Sequence, residues 1–407
     1  MATRRAAGVR LDLRSASSPG GKRVDHGGCR WARFTLVIEV AGSYDRRFTA
    51  VRDALAQSLA AEDVGASAAV HLDGELVVDV WGGHTDAGRT VAWERDTITN
   101  VWSVTKTMTA LCALILADRG ELDLAAPVAR YWPEFAAAGK QGVQVRHLLA
   151  HTAGLPDFDD PLSVADLYDW PSVTARLAAQ APRWEPGALA GYHSLTQGFL
   201  VGEVVRRITG RPLGEFFAEQ VAAPLGADFH IGLPAEHDHR VAPVLAPPSA
   251  PSGDLVAAPP GADRGASAAP GVGIRVSDAN TLAWRRAHIP SVSGFGNARS
   301  VGAVQSVLAG GGTARGVRLL SAAGCERARE QQYRGVDQIL GASMRYGMGY
   351  GIFDRSCGWG GWGGSLVMVD LDARLTVSYV MNQMLDDGGL GDHRALGIVI
   401  AAYEGLS

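Results

Sequence analysis

The sequence predicts an α+β fold in which an antiparallel sheet, drawn from both ends of the chain, holds an inserted and mainly helical subdomain. Three observations carry this: two β-like runs near the start, two more near the end, and helical periodicity between them. The sheet part is expected at about 45–118 and 295–407, with five or more strands, and the helical part at about 119–294.

Taken in order, residues 1–41 read as a disordered basic arm. Its first 33 positions hold eight basic residues, Arg4 and Arg5 among them, against Asp12 and Asp25. An export signal would need an apolar run after Arg4-Arg5, and Ala6-Ala7-Gly8-Val9-Arg10 is too short, so a cytoplasmic protein is expected. Order is expected from about Gly42. Phe48, Val51, Leu55 and Leu59 then recur at helical spacing within 45–60. Ser67–Leu72 and Glu75–Trp81 read as strands joined at Asp73-Gly74, because a two-residue hairpin turn needs φ > 0 at both central positions. Gly82-Gly83 is expected to close the second strand.

Val104–Asp118 is almost wholly apolar and reads as a buried helix stopped by Gly120. Pro171–Gln180 and Thr196–Thr209 are further helices, the second ended by Gly210, with a loop at Trp184-Glu-Pro-Gly187 between them. Residues 242–273 carry seven prolines and read as a long surface loop that could flank a site. Gly364–Leu371 and Leu375–Met381 return to strand, turning at Asp372-Ala373-Arg374, and His393–Tyr403 closes the chain as a helix.

Composition narrows the function. The 407 residues are 47% hydrophobic, enough for a large core, and no apolar stretch is long enough to span a membrane. A formal net charge of −4 without basic blocks in the body argues against nucleic acid as partner. Cys29, Cys112, Cys325 and Cys357 form no C-x-x-C pair, so neither zinc nor a disulfide framework is signalled. His147 and His151 stand four apart without a glutamate and read as structural; His237 and His239 read as solvated. No G-x-S-x-G elbow, H-E-x-x-H or P-loop occurs, and no metal or cofactor is implied.

What stands out is Ser103-Val104-Thr105-Lys106 at the head of the most apolar helix. Residues three apart share a helix face, so the serine can pass its proton to the lysine amine. Burial disfavours the ammonium form, which lets a lysine act as a base near neutral pH, and the helix N-terminus favours an oxyanion. A tyrosine follows in Gly191-Tyr192-His193-Ser194, and a glycine cluster, Gly358-Trp359-Gly360-Gly361-Trp362-Gly363-Gly364-Ser365, opens the C-terminal strands.

With these motifs the sequence resembles the serine β-lactamase and penicillin-binding-protein superfamily over about residues 45–405. The likeness is to its class C-like branch, which includes the family VIII carboxylesterases. Val145-Arg-His-Leu-Leu-Ala-His-Thr-Ala-Gly-Leu-Pro156, Pro186-Gly187, Pro224-Leu225-Gly226, Gly294-Phe-Gly-Asn-Ala-Arg299 and Gly347-Met-Gly-Tyr-Gly351 also fit. The resemblance implies a β-lactamase/DD-peptidase-like fold with the site in the cleft between sheet and helical part. It implies Ser103 as nucleophile, Lys106 as its proton acceptor and Tyr192 as partner acid and base. The backbone N–H groups of Ser103 and Trp362 would form the oxyanion hole, and Trp359, Gly360, Gly361 and Ser194 would contact substrate.

Two departures bear on the substrate. Penicillin-directed relatives carry Lys-Thr-Gly where this chain has Trp359-Gly360-Gly361, so a ligand-binding charge is replaced by an apolar wall. Ser194 stands where β-lactamases often place Asn. Both changes resemble the family VIII esterases and imply a serine carboxylesterase acting on small, short-chain esters. An acyltransferase, a β-lactamase or a D-amino-acid peptidase would use the same acyl-enzyme, and a non-catalytic binding protein of the same fold is the remaining alternative. Oligomeric state is not legible.

Overall fold

The computed structural model describes residues 39–249, 272–386 and 391–406. The expected basic arm up to residue 38, Cys29 and residues 250–271 of the proline-rich stretch lie outside them. The strands are β1 (Val40–Tyr44), β2 (Gly65–Leu72), β3 (Glu75–Gly83), β4 (Thr99–Asn100), β5 (His230–Ile231), β6 (Gly294–Gly296), β7 (Thr313–Ala314), β8 (Val317–Arg318), β9 (Tyr333–Val336), β10 (Ser343–Tyr346), β11 (Gly351–Phe353), β12 (Ser356–Gly360), β13 (Leu366–Asp370) and β14 (Leu375–Met381). Nine form one antiparallel sheet in the order β1-β3-β2-β14-β13-β12-β11-β10-β9. The early and late blocks of strands therefore meet at the β2–β14 seam.

That seam is central, and both of its faces are covered. Ser67 and His71 of β2 and Ser378 of β14 face the helix Ala298–Ala309: Ser67 Oγ accepts the Ala298 N–H, and Ser378 Oγ donates to the Ala298 carbonyl. The alternate residues, Tyr379 among them, face α1 (Thr49–Ala61) and the C-terminal helix His393–Glu404. Burial on both sides explains why β14 is buried along its whole length rather than alternating.

Between the two blocks of sheet strands lie α2 (Thr105–Asp118), α3 (Val145–Leu149), α4 (Trp170–Ala179) and α5 (Thr196–Thr209). α2 is apolar on every side because it is buried on every side. The Asp73-Gly74 turn has φ of 53° and 83°, as a tight hairpin demands, and Gly210 ends α5 at φ 72°.

Some expectations shift. Val40 and Ala41, assigned to the arm, are paired in β1 with Gly82 and Trp81. β3 ends at Gly83 as expected, but Gly82 and Gly83 belong to the ladder, where Gly83 pairs with Gly65. The helix expected from residue 45 starts at Thr49 after a short turn at Arg46–Phe48. At the head of the proline-rich stretch, Leu245 is tied to Asn382 and Met384 by backbone hydrogen bonds. No helix among the described residues is long and apolar enough to cross a membrane.

One buried ion network locks the seam. Arg394, on the C-terminal helix, reaches Asp63 at 2.7 Å and Asp392 at 2.5 Å, and all three side chains are at most 1% exposed. Asp63 also accepts from the Tyr379 hydroxyl at 2.6 Å and from Ser58. Arg394 donates as well to the carbonyls of Gln383 and Gly363, the latter beside Trp362. Burial raises the Asp63 carboxyl pKa, and the Arg394 charge opposes that shift. Arg394→Met leaves two buried carboxylates without a cation. It is expected to cost about 3–5 kcal/mol in urea denaturation, and a loss below about 1 kcal/mol would contradict this account.

Candidate active site

The chain enters α2 through a constrained turn. Val101 N donates to the Gly294 carbonyl at 2.9 Å, and Thr105 Oγ1 bridges back to the Trp102 carbonyl while accepting the Gly294 N–H. Trp102, immediately before the serine, is held at φ 49° with its indole buried. A non-glycine residue adopts this conformation only where its surroundings impose it. Here the edges of Trp284 and Trp362 pack on it at 5.8 and 5.0 Å between ring centroids.

Ser103 follows, 8% exposed. Its Oγ lies 3.2 Å from Lys106 Nζ and 2.8 Å from Tyr192 Oη. Lys106 is 1% exposed, and Nζ also donates to the carbonyls of Ser194 at 2.7 Å and Ser291 at 3.2 Å. Among the described residues it has no carboxylate partner. Burial alone pushes its pKa well below the ordinary lysine range. An amine whose two N–H bonds point at carbonyls keeps its lone pair for the third neighbour, which is Ser103.

Tyr192 comes from the segment between α4 and α5. Its pKa is pushed up to about 12, first by burial, with the hydrogen bonds to Ser103 and Trp359 opposing and the nearby Asp337 charge adding. Behind it stand the rings of His151 at 5.1 Å and Trp359 at 5.3 Å, with Tyr346 packed on both. His193 and His151 are held below the ordinary histidine range by burial, His193 at about 4. His151 Nδ1 accepts the His193 backbone N–H and His193 Nε2 accepts that of Leu155, so both imidazoles are neutral structural pieces.

Of the residues predicted from sequence, Ser103, Lys106 and Tyr192 converge within hydrogen-bonding distance. Gly360 ends β12, and Gly361 and Trp362 follow in the turn to β13. A Cβ on Gly361 would sit 2.4 Å from the Val101 carbonyl oxygen, so only glycine lets this turn lie against the entry to α2. Among the described residues the backbone N–H groups of Ser103 and Trp362 have no acceptor.

Two expected contacts differ. The Trp359 indole does not present a wall to solvent: it is 1% exposed, and its Nε1–H donates to Tyr192 Oη at 3.2 Å. Ser194 meets the site through its carbonyl on Lys106. His147 and His151 do not share a ligand. His147 caps α3 at Gln144, whereas His151 lies beyond that helix, and no metal-holding cluster occurs among the described residues. His239 is exposed as expected, but His237 stacks on His230, and Asp238 between them pairs with Arg285 and Arg286. Sequence reasoning missed the Ser291 carbonyl, Asp337 and Tyr346, none of which sits in a recognisable motif. A cavity of about 920 Å³ lined by Trp132, Tyr168 and Trp170 lies in the helical part and touches none of the converging residues.

Fold and site together point to one family of proteins. The chain belongs to the beta-lactamase family, whose model matches residues 51–400. It is 34% identical over 376 residues to the esterase/beta-lactamase LipL of Mycobacterium tuberculosis, covering 87% of this chain and 85% of that protein. Among solved structures, a family VIII carboxylesterase superposes with a TM-score of 0.83 at 42% identity, covering 90% of this chain and 100% of that one. A penicillin-binding protein homologue from Caulobacter crescentus gives 0.82 at 34% identity over the same shares.

The close approach at Gly361 makes a prediction of its own. Gly361→Ala is expected to lower stability by about 1–3 kcal/mol, as overpacking does, read as a fall in Tm. An unchanged Tm would mean that the turn and the α2 entry are not held in contact.

Proposed function

We propose that this protein is a serine hydrolase that cleaves small, short-chain carboxylic esters through an acyl-Ser103 intermediate. The observation that carries the reading is a buried lysine amine without a counter-ion among the described residues, 3.2 Å from Ser103 Oγ, with a neutral phenol on the other side of the same oxygen. Neutral Lys106 takes the Ser103 proton as Oγ attacks the ester carbonyl. The carbonyl oxygen, now negative, is met by the backbone N–H groups of Ser103 and Trp362, each such donor being worth about 3–4 kcal/mol to a transition state. Tyr192 gives its own proton to the departing alkoxide and is reprotonated from Lys106, so the proton taken from the serine ends on Tyr192 and the set is restored. Water then repeats the sequence on the acyl-serine and releases the acid.

Ester over β-lactam follows from position 359, where tryptophan supplies no cation for a ligand carboxylate. The name of the family VIII carboxylesterase supports the ester reading, whereas that of LipL carries both an esterase and a beta-lactamase. The reaction as written uses no cofactor.

A p-nitrophenyl ester series from acetyl to lauroyl, with nitrocefin alongside, tests this. Short esters are expected to turn over fastest, with a loss of roughly 10³-fold or more in Ser103→Ala. Undiminished hydrolysis by that variant sinks the reading, and nitrocefin as the better substrate sinks the argument from Trp359.

The lysine gives the pH dependence. Activity needs neutral Lys106, so kcat/KM rises with pH through a pKa lying well below the ordinary lysine range. Tyr192 at about 12 places no alkaline limb below that value. Lys106→Arg, whose guanidinium does not deprotonate, is expected to be inactive at every pH between about 5 and 10. An active Lys106→Arg enzyme would remove the lysine from the role of base.

A further inference from the structure

Asp337, in the loop between β9 and β10, is fully buried, and among the described residues no cation pairs with it. A carboxylate without a cation in a core is costly unless donors fill its acceptor sites. Four do. Oδ1 accepts the backbone N–H groups of Ile339 and Leu340, both at 2.8 Å, and that of Tyr192 at 3.1 Å; Oδ2 accepts the Tyr346 hydroxyl at 2.7 Å.

The first two bonds only close the local turn, as an aspartate commonly does. The other two reach well beyond it. Tyr192 lies 145 positions away in the chain, and its N–H is drawn onto the same oxygen. Tyr346 packs against His151 and Trp359, the two rings that stand against the Tyr192 phenol. The same loop is tied once more to this segment, where the Gln338 N–H donates to the Ala190 carbonyl at 2.8 Å. One carboxylate thus holds the tyrosine's main chain and the ring cage behind its side chain.

We propose that Asp337 is a positioning residue for Tyr192, fixing through these two bonds the point at which the phenol offers its proton to the leaving group. It touches neither substrate nor Ser103, and it acts only through Tyr192. The inference rests on the reading of Tyr192 as proton donor.

Leaving-group dependence separates this role from a general structural one. p-Nitrophenoxide departs without a proton, whereas ethoxide leaves only as ethanol. A misplaced donor therefore slows ethyl acetate and spares p-nitrophenyl acetate, while a loosened fold slows both alike. The quantity read is kcat/KM for p-nitrophenyl acetate divided by kcat/KM for ethyl acetate, which reports acylation.

Asp337→Ala is expected to raise this ratio about tenfold, and Tyr192→Phe about a hundredfold or more. Asp337→Asn, which keeps a carbonyl oxygen for the N–H groups and an amide for Tyr346, is expected to stay within about threefold of wild type. Equal losses on the two esters, or a wild-type ratio in folded Asp337→Ala, overturn the proposal. If Asp337→Ala does not fold, Asp337→Ser, with one short acceptor left, is read in its place. A chain that folds only with Asp or Asn at this position also overturns the proposal, because Asp337 then serves the fold alone. A wild-type ratio in Tyr192→Phe instead refutes the reading of Tyr192 on which the inference rests, so the two failures are distinguishable.

Discussion

The Lys106 amine lies in the core with the Ser194 and Ser291 carbonyls and Ser103 Oγ as its polar neighbours, and nothing among the described residues neutralises its charge. A buried ammonium is unfavourable, so the group favours the neutral form, and the neutral form needs two acceptors and one donor. The surroundings supply that set. The carbonyls come from the segment before α5 and from the segment before β6, and the hydroxyl comes from the short turn Trp102–Val104 that leads into α2. A carboxylate beside Nζ would return the proton to the lysine and remove the base that the proposed reaction needs. The site is therefore defined as much by the missing acid as by the residues present.

Keeping that arrangement requires elements distant in sequence to be rigid relative to one another. α2 is fixed by burial on every side, and its entry is pinned by Val101, Thr105 and Gly294. The turn after β12 is held against Val101 by a glycine and braced from behind by Arg394 on the Gly363 carbonyl. Arg394 is the same residue that closes the β2–β14 seam through Asp63. Joining the two ends of the chain and setting the Trp362 turn are thus served by one guanidinium, and disturbing either would be felt at the other.

Much of this was legible before the structure. Spacing alone predicts that Ser103 and Lys106 share a face, and the strands on either side of Asp73-Gly74 and Asp372-Ala373-Arg374 carry clear turn chemistry. Helices ended by Gly120 and Gly210 read directly, because a left-handed C-terminus favours glycine. β9 to β12 did not, since strands of three to five residues are too short to show the alternation that marks a half-buried strand. β1 was hidden because its partner is β3, and nothing local to Val40–Tyr44 announces a pairing made some 40 residues on. The Ser291 carbonyl and Asp337 were invisible for a different reason. A main-chain acceptor has no sequence signature, and an aspartate in a turn reads as a turn.

Trp359 shows how a position can keep its place and change its work. A lysine there would point its charge at a ligand carboxylate. The indole instead lies buried against His151 and Tyr346 with its one donor on Tyr192 Oη. That hydrogen bond favours the phenolate, the form Tyr192 would take after giving up its proton in the proposed reaction, and so it opposes the burial that pushes the phenol's pKa up. A lysine would stabilise a phenolate more strongly and would leave a second cation close to Lys106. Exchanging the cation for a neutral donor keeps partial support for the phenolate without burying a second cation in the core. In the proposed reaction, weak binding of a β-lactam carboxylate and a retained proton donor at Tyr192 would be two consequences of one residue. An uncharged ester would be the substrate on which only the second matters.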